Sequence, residues 1–161
     1  RDVVVNAAID GRGGATGGAV ALRAGRDVAI NNTIATNNGA IGATAANGAL
    51  DMKNGTALVA GTGAIALDAR GDIRTGSVSG GSFAATSTQG SVDIDGLIDG
   101  STGRVELAAG QDININALVL SPRSGAAFSA DAGRNVTVNA RIDGTAGTRG
   151  GAVSIDARGD I

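Results

Sequence analysis

A short pattern recurs eight times along the chain: a small polar residue or alanine, an aliphatic, any residue, then a second aliphatic or a close substitute. It begins at Asp2, Asp27, Ala49, Asp72, Ser91, Asp112, Asn135 and Asp160, in steps of 25, 22, 23, 19, 21, 23 and 25 residues. A self-similar period of this size means that no unit buries its apolar face alone. Each must stack on its neighbours, which is the signature of a solenoid.

Alternation with period two inside the pattern predicts strands, because every second side chain then shares one face of a sheet. The residue after each start is Val3, Val28, Leu50, Ile73, Val92, Ile113, Val136 or Ile161, always aliphatic. Two residues further on come Val5, Ile30, Met52, Thr75, Ile94, Ile115 and Val138, with Thr75 the one polar member. Stacked, these positions form two inward ladders along a parallel sheet. Between them Val4, Ala29, Asp51, Arg74, Asp93, Asn114 and Thr137 face outwards, and Asp51, Arg74 and Asp93 are expected to stack as a negative, positive, negative series.

Asn6, Asn31, Asn116 and Asn139 fall four residues past a start, where Gly76 and Asp95 also occur. A turn is expected there, in residues that tolerate left-handed backbone angles. Ile9, Ile34, Leu58, Val78, Ile98, Val119 and Ile142 then mark a second short strand. A third precedes the next start, at Val20 and Leu22, Ile65 and Leu67, Val105 and Leu107, Val153 and Ile155, with Phe128 as one first member. The units around Ile41 and Phe83 fit with one extra residue before the corner. Alanine recurs at that corner, at Ala24, Ala69, Ala109, Ala132 and Ala157, with a glycine within two positions. Length variation collects between the second and third strands, for example Asp10 to Ala19 and Asp143 to Ala152, where a repeat protein displays recognition loops.

Glycine is abundant (28 of 161 residues), Pro122 is the only proline, and Phe83 and Phe128 are the only aromatics. With 42% hydrophobic residues and a fixed period, this is a folding chain rather than a low-complexity tail, and its core is narrow and aliphatic. The prediction is an all-β, single-stranded, right-handed parallel β-helix. It has about seven rungs of 19–25 residues with three short strands each, and a length of roughly 34 Å at about 4.8 Å per rung. Residues 1–161 read as one repeat segment of a longer array, without an internal domain boundary.

The net charge is −2 with no block of Lys or Arg, so no nucleic-acid partner is expected. No aliphatic run approaches the roughly 18 residues of a membrane span, and no membrane insertion is expected. Cysteine and histidine are absent, which removes thiol chemistry, disulfides and an imidazole base.

Several motifs were weighed as sites. Arg70-Gly71-Asp72 and Arg158-Gly159-Asp160 repeat a tripeptide that integrin-type receptors recognise on projecting loops, making these six residues candidate receptor contacts. Both copies also fill the ordinary corner, where Gly25-Arg26-Asp27 and Gly110-Gln111-Asp112 stand in other orders. That placement favours a structural role. Asn31-Asn32-Thr33, Asn54-Gly55-Thr56 and Asn135-Val136-Thr137 match a glycosylation acceptor pattern that a chain rich in Asn and Thr produces by chance. Asp131 and Asp156 stack, but two carboxylates are too few for a metal site. Gly61-Thr62-Gly63 precedes a strand rather than a helix, so no dinucleotide phosphate site forms there. Asp93, Asp95 and Asp99 would supply the carboxylates of a polysaccharide-active enzyme. Without Trp, Tyr or His that reading lacks a sugar-stacking platform and a base. No catalytic residue, metal or cofactor is expected.

Gly18-Ala19-Val20-Ala21-Leu22-Arg23-Ala24-Gly25-Arg26-Asp27-Val28-Ala29-Ile30-Asn31 and Gly103-Arg104-Val105-Glu106-Leu107-Ala108-Ala109-Gly110-Gln111-Asp112-Ile113-Asn114-Ile115-Asn116 together resemble the filamentous haemagglutinin-like large exoproteins of Gram-negative bacteria. The likeness runs along essentially the whole chain as degenerate repeats. It implies a secreted, cell-surface β-helical shaft exported by two-partner secretion, with an outer-membrane secretion partner for the full-length protein. It also implies a role in adhesion, haem acquisition or toxin delivery, and a host-cell receptor or glycan as partner. Autotransporter passengers share such a shaft.

Overall fold

The computed structural model describes residues 1–14, 17–100, 103–120, 127–144 and 151–161. Among these residues all regular structure is β-strand, in three parallel sheets of seven strands. Each rung of the coil gives one short strand to each sheet. The first rung, for instance, consists of Val3–Val5, Ile9–Gly11 and Val20–Ala24. The chain is a β-solenoid.

The expected ladders are the observed ones. In the first sheet Val3, Val28, Leu50, Ile73, Val92, Ile113 and Val136 lie opposite one another in succession. The second sheet aligns Ile9, Ile34, Leu58, Val78, Ile98, Val119 and Ile142. The third aligns Val20, Ile41, Ile65, Phe83, Val105, Phe128 and Val153. Inward side chains from all three sheets merge into one buried cluster, each large aliphatic contributing about 1.5–3 kcal/mol by burial.

The third sheet shows how a narrow core keeps its volume. Its second inward row reads Leu22, Ala43, Leu67, Ala85, Leu107, Ala130 and Ile155. Where the first member is Phe83 or Phe128, the second is alanine, so the large ring is offset by a small partner; the second rung, with Ile41 and Ala43, holds less bulk. Thr75 is fully buried in the first sheet and its hydroxyl donates to the Asp93 carbonyl at 3.4 Å, a long bond.

The corner after the first strand differs from expectation. The asparagines past each first strand do not take left-handed angles; among the described non-glycine residues only Asn38 has positive φ, 65°. Their side chains instead bond along the rod. Asn31 Nδ2 donates to Asn6 Oδ1, Asn116 Nδ2 to Asp95 Oδ1 and Asn139 Nδ2 to Asn116 Oδ1, each at 2.9 Å. Asp51, Arg74 and Asp93 stack on successive rungs as expected, and Arg74 forms its ion pair with Asp95 at 3.3 Å. Asp93 accepts from Asn114 Nδ2 at 2.7 Å.

The fourth rung is the tightest, with Gly76 and Gly81 the only residues between its strands Ile73–Thr75, Ser77–Gly80 and Ser82–Ser87. A Cβ at Gly76 would lie 2.6 Å from the Thr56 carbonyl oxygen. Only glycine lets the two backbones approach that closely.

Candidate functional site

Both Arg-Gly-Asp triplets occupy the corner between the third sheet and the next first strand. They are bonded into it. Arg70 N–H donates to the Ala45 carbonyl, Gly71 N–H to that of Gly48 at 2.8 Å, and Asp72 Oδ1 accepts from Ser91 N–H at 2.8 Å. In the second copy Arg158 N–H reaches the Ala132 carbonyl, Gly159 N–H that of Arg134, and Asp160 N–H donates to Asn135 Oδ1 at 2.9 Å. The side chains of Arg70, Asp72, Arg158 and Asp160 remain exposed, but on a stitched ridge rather than a projecting loop.

Asp72 and Asn135 exemplify a bond that recurs along the rod. The Asp, Ser or Asn at a pattern start accepts, through its side-chain oxygen, the backbone N–H of the start residue on the next rung. This holds from Asp2 to Asp27, Asp27 to Ala49, Asp72 to Ser91, Ser91 to Asp112, Asp112 to Asn135 and Asn135 to Asp160. Ala49 alone has no acceptor to offer Asp72. The sequence reading noted the recurrence of small polar residues without seeing why. The signal was present: Asp, Ser and Asn share a short side-chain acceptor and nothing else.

Arginine strengthens two of these joints. Arg26 grips Asp2 with Nε at 2.8 Å and a terminal nitrogen at 2.6 Å, and Arg134 grips Asp112 in the same way. Hydrogen bonds from Arg26 hold the Asp2 carboxyl at about 2, and Arg134 holds that of Asp112 below its ordinary value. Asp10 is likewise lowered to about 2, by Arg12 two residues away.

The extra residue in the second and fourth rungs shapes the surface. Ala46 and Thr88 lengthen the corners on either side of the third rung, whose corner at Ala69 has no such insertion. The result is a shallow groove of about 250 Å³ over the third rung. Ala45, Ala46 and Ala69 line it, while Thr44, Asp68, Arg70, Thr86 and Thr88 supply its polar groups. Thr44, Asp68 and Thr86 are successive members of one outward row. Two further grooves are shallow as well: one beside Asp131 and Arg158, the other across Asp51, Asp72, Arg74 and Asp93 on the first sheet.

Among the described residues no cluster of three acidic side chains is placed to hold a metal ion. Asp131 and Asp156 do lie opposite each other. Asp93, Asp95 and Asp99 are not brought together: Asp93 lies in the first sheet, Asp95 at the corner paired with Arg74, and Asp99 in the second sheet. Of the Asn-x-Thr triplets, Asn31 and Asn135 are tied into side-chain ladders, whereas Asn54 is exposed beside Gly55, whose φ is +84°. The recognition loops expected at 10–19 and 143–152 lie partly outside the described residues.

Fold and surface together define a parallel β-solenoid with three strands per rung. No family model matches the chain, and neither the curated proteins nor the solved structures include a significant match.

Proposed function

We propose that this chain is the structural shaft of a secreted bacterial surface exoprotein of the adhesin or haemagglutinin type. It holds adhesive or effector regions away from the cell, and its full-length parent passes through an outer-membrane secretion partner. One observation carries this reading: the polar side chains at the corners bond from rung to rung. Groups that an enzyme would direct at a substrate here extend and stiffen a rod. The shaft is non-catalytic and needs no cofactor. Host-cell receptors or glycans engage its exposed ridges, the Arg70-Gly71-Asp72 and Arg158-Gly159-Asp160 corners included. An autotransporter passenger would use the same shaft. A polysaccharide-active enzyme is the rival class, and the groove across Asp51, Asp72, Arg74 and Asp93 is where it would work.

Beads coated with the chain are expected to bind epithelial cells above albumin-coated beads, and the chain is expected to release no reducing sugar from acidic polysaccharides. Sugar release would replace the shaft by the enzyme. Adhesion no higher than albumin would reduce the chain to a spacer. Undiminished adhesion after Arg70→Ala with Arg158→Ala would remove the Arg-Gly-Asp corners from the adhesive surface.

A further inference from the structure

Three arginines of this rod close on an acid two residues away, whereas among the described residues Arg70, Arg74 and Arg158 do not. Arg12 pairs with Asp10 at 2.8 Å, Arg104 with Glu106 at 2.7 Å and Arg141 with Asp143 at 2.6 Å. Arg70 stands two residues from Asp68 and does not. Its Nε donates instead to Gln89 Oε1 on the next rung, at 2.9 Å. Gln89 belongs to the lengthened corner of the fourth rung and holds one edge of the guanidinium. Both terminal nitrogens of Arg70 and both oxygens of Asp68 are left without a hydrogen-bond or ion-pair partner among the described residues. The hydroxyls of Thr44, Thr86 and Thr88 around them are equally unengaged.

From this concentration of unspent polar groups we infer that the groove over the third rung binds one ring of a carboxylate-bearing saccharide. The chemistry matches group by group. The planar fork of Arg70 suits a carboxylate, to which it donates two charge-assisted bonds. Asp68 accepts from sugar hydroxyls, and the three threonines donate to and accept from others. Ala46, exposed at the lengthened corner, presents a small apolar patch to the C–H face of the ring. The open groove of about 250 Å³ takes a single ring with its chain leading away, and with no aromatic platform the affinity is millimolar. Gln89 is a positioning residue: it anchors Arg70 through Nε and leaves both terminal nitrogens for the ligand.

This inference rests on the adhesive shaft for its biological setting, but its test uses neither cells nor a secretion partner. Failed titration therefore removes the groove and leaves the adhesive shaft, whereas failed cell adhesion removes the adhesive role and leaves the groove. The isotope-labelled chain is titrated with glucuronate and, separately, with glucose, following backbone amide resonances. Glucuronate is expected to shift Ala69, Arg70, Thr86 and Thr88 saturably, with glucose about tenfold weaker, the equilibrium worth of one charge-assisted contact. Arg70→Gln and Asp68→Asn should each weaken glucuronate about tenfold. Gln89→Ala should weaken it as well, because Arg70 then loses the bond that anchors its Nε. Arg104→Gln removes the same charge from the same sheet and should bind like the parent. Dispersed spectra confirm that each variant is folded, and Arg70→Lys, which keeps the charge but loses the fork, provides a second reading at that position. Glucose and glucuronate titrating alike, shifts located elsewhere, or Arg70→Gln binding like the parent would each overturn the inference.

Discussion

Ala49 is the one start residue that cannot pass a hydrogen bond to the next rung. Asp27, Asp72, Ser91, Asp112 and Asn135 all use a side-chain oxygen for this purpose, so Ala49→Asn should complete the series. Asn135 shows that a neutral amide serves, and asparagine adds no charge beside Asp27, Asp51 and Asp72. The expected gain is about 0.5–1.5 kcal/mol, that of one net intramolecular hydrogen bond, read as a higher urea midpoint at constant slope. An unchanged midpoint would mean that water already serves the Asp72 N–H as well as a side chain would. The converse change, Asp72→Ala, should cost about 1 kcal/mol by freeing the Ser91 N–H. The inward residues of these rungs were legible in the sequence because period-two burial leaves an aliphatic trace in each strand. The acceptors were not, because each partner lies a full rung away, and Asp at a corner reads equally well as a solvated turn residue. The asparagines past the first strand were misread for a related reason: a type that tolerates left-handed angles was credited with using them, while its amide was engaged in a ladder.

At the scale of a strand, the third sheet offers the sharper test of how the core is specified. Ala85 sits beneath Phe83 on one rung and Ala130 beneath Phe128 on another, while rungs with Ile65 or Val105 carry Leu67 or Leu107. Ala85→Leu should therefore overpack its rung and cost about 1–3 kcal/mol. Combining it with Phe83→Val should recover most of that loss, because the pair then copies Val105 and Leu107; melting of the double variant at or below the single one would refute volume sharing within a rung. In the first sheet Ile94 is fully buried and its neighbour Asp93 faces outwards. Ile94→Asp should unfold the rod locally and Asp93→Ala should be tolerated, losing only the bond from Asn114; equal melting losses would contradict the register. The extra residue in the rungs of Ile41 and Phe83 was visible in the spacing. The groove it makes was not, since its walls come from corners on separate rungs, at Ala46 and Thr88, and no local pattern encodes how they stand over the third.

For the whole rod, acid is the condition that tests how the rungs are joined. Arg26 on Asp2 and Arg134 on Asp112 tie successive rungs, and both carboxyls, like that of Asp10, are held below their ordinary value of 3.8 by arginine. A carboxyl lowered in the folded state releases its proton more readily there than in the unfolded chain. Its contribution is therefore complete above about pH 4 and disappears as pH falls through about 2, where Asp2 and Asp10 titrate. Each pair is exposed and screened by salt, so each effect is modest. Below pH 4, however, loss of the remaining carboxylate charges would leave 13 basic residues without compensation, and self-repulsion along the rod adds to the loss. The chain has no histidine and no cysteine, so no side chain with an ordinary pKa titrates between pH 5 and 8. Tm should accordingly be level across that interval, decline between about pH 4 and pH 2, and decline less steeply there in Arg134→Gln, whose Asp112 has returned toward the ordinary carboxylate range. A fall in Tm beginning near pH 6 would contradict this picture, because it would require a protonation that none of these carboxylates undergoes so far from its own range.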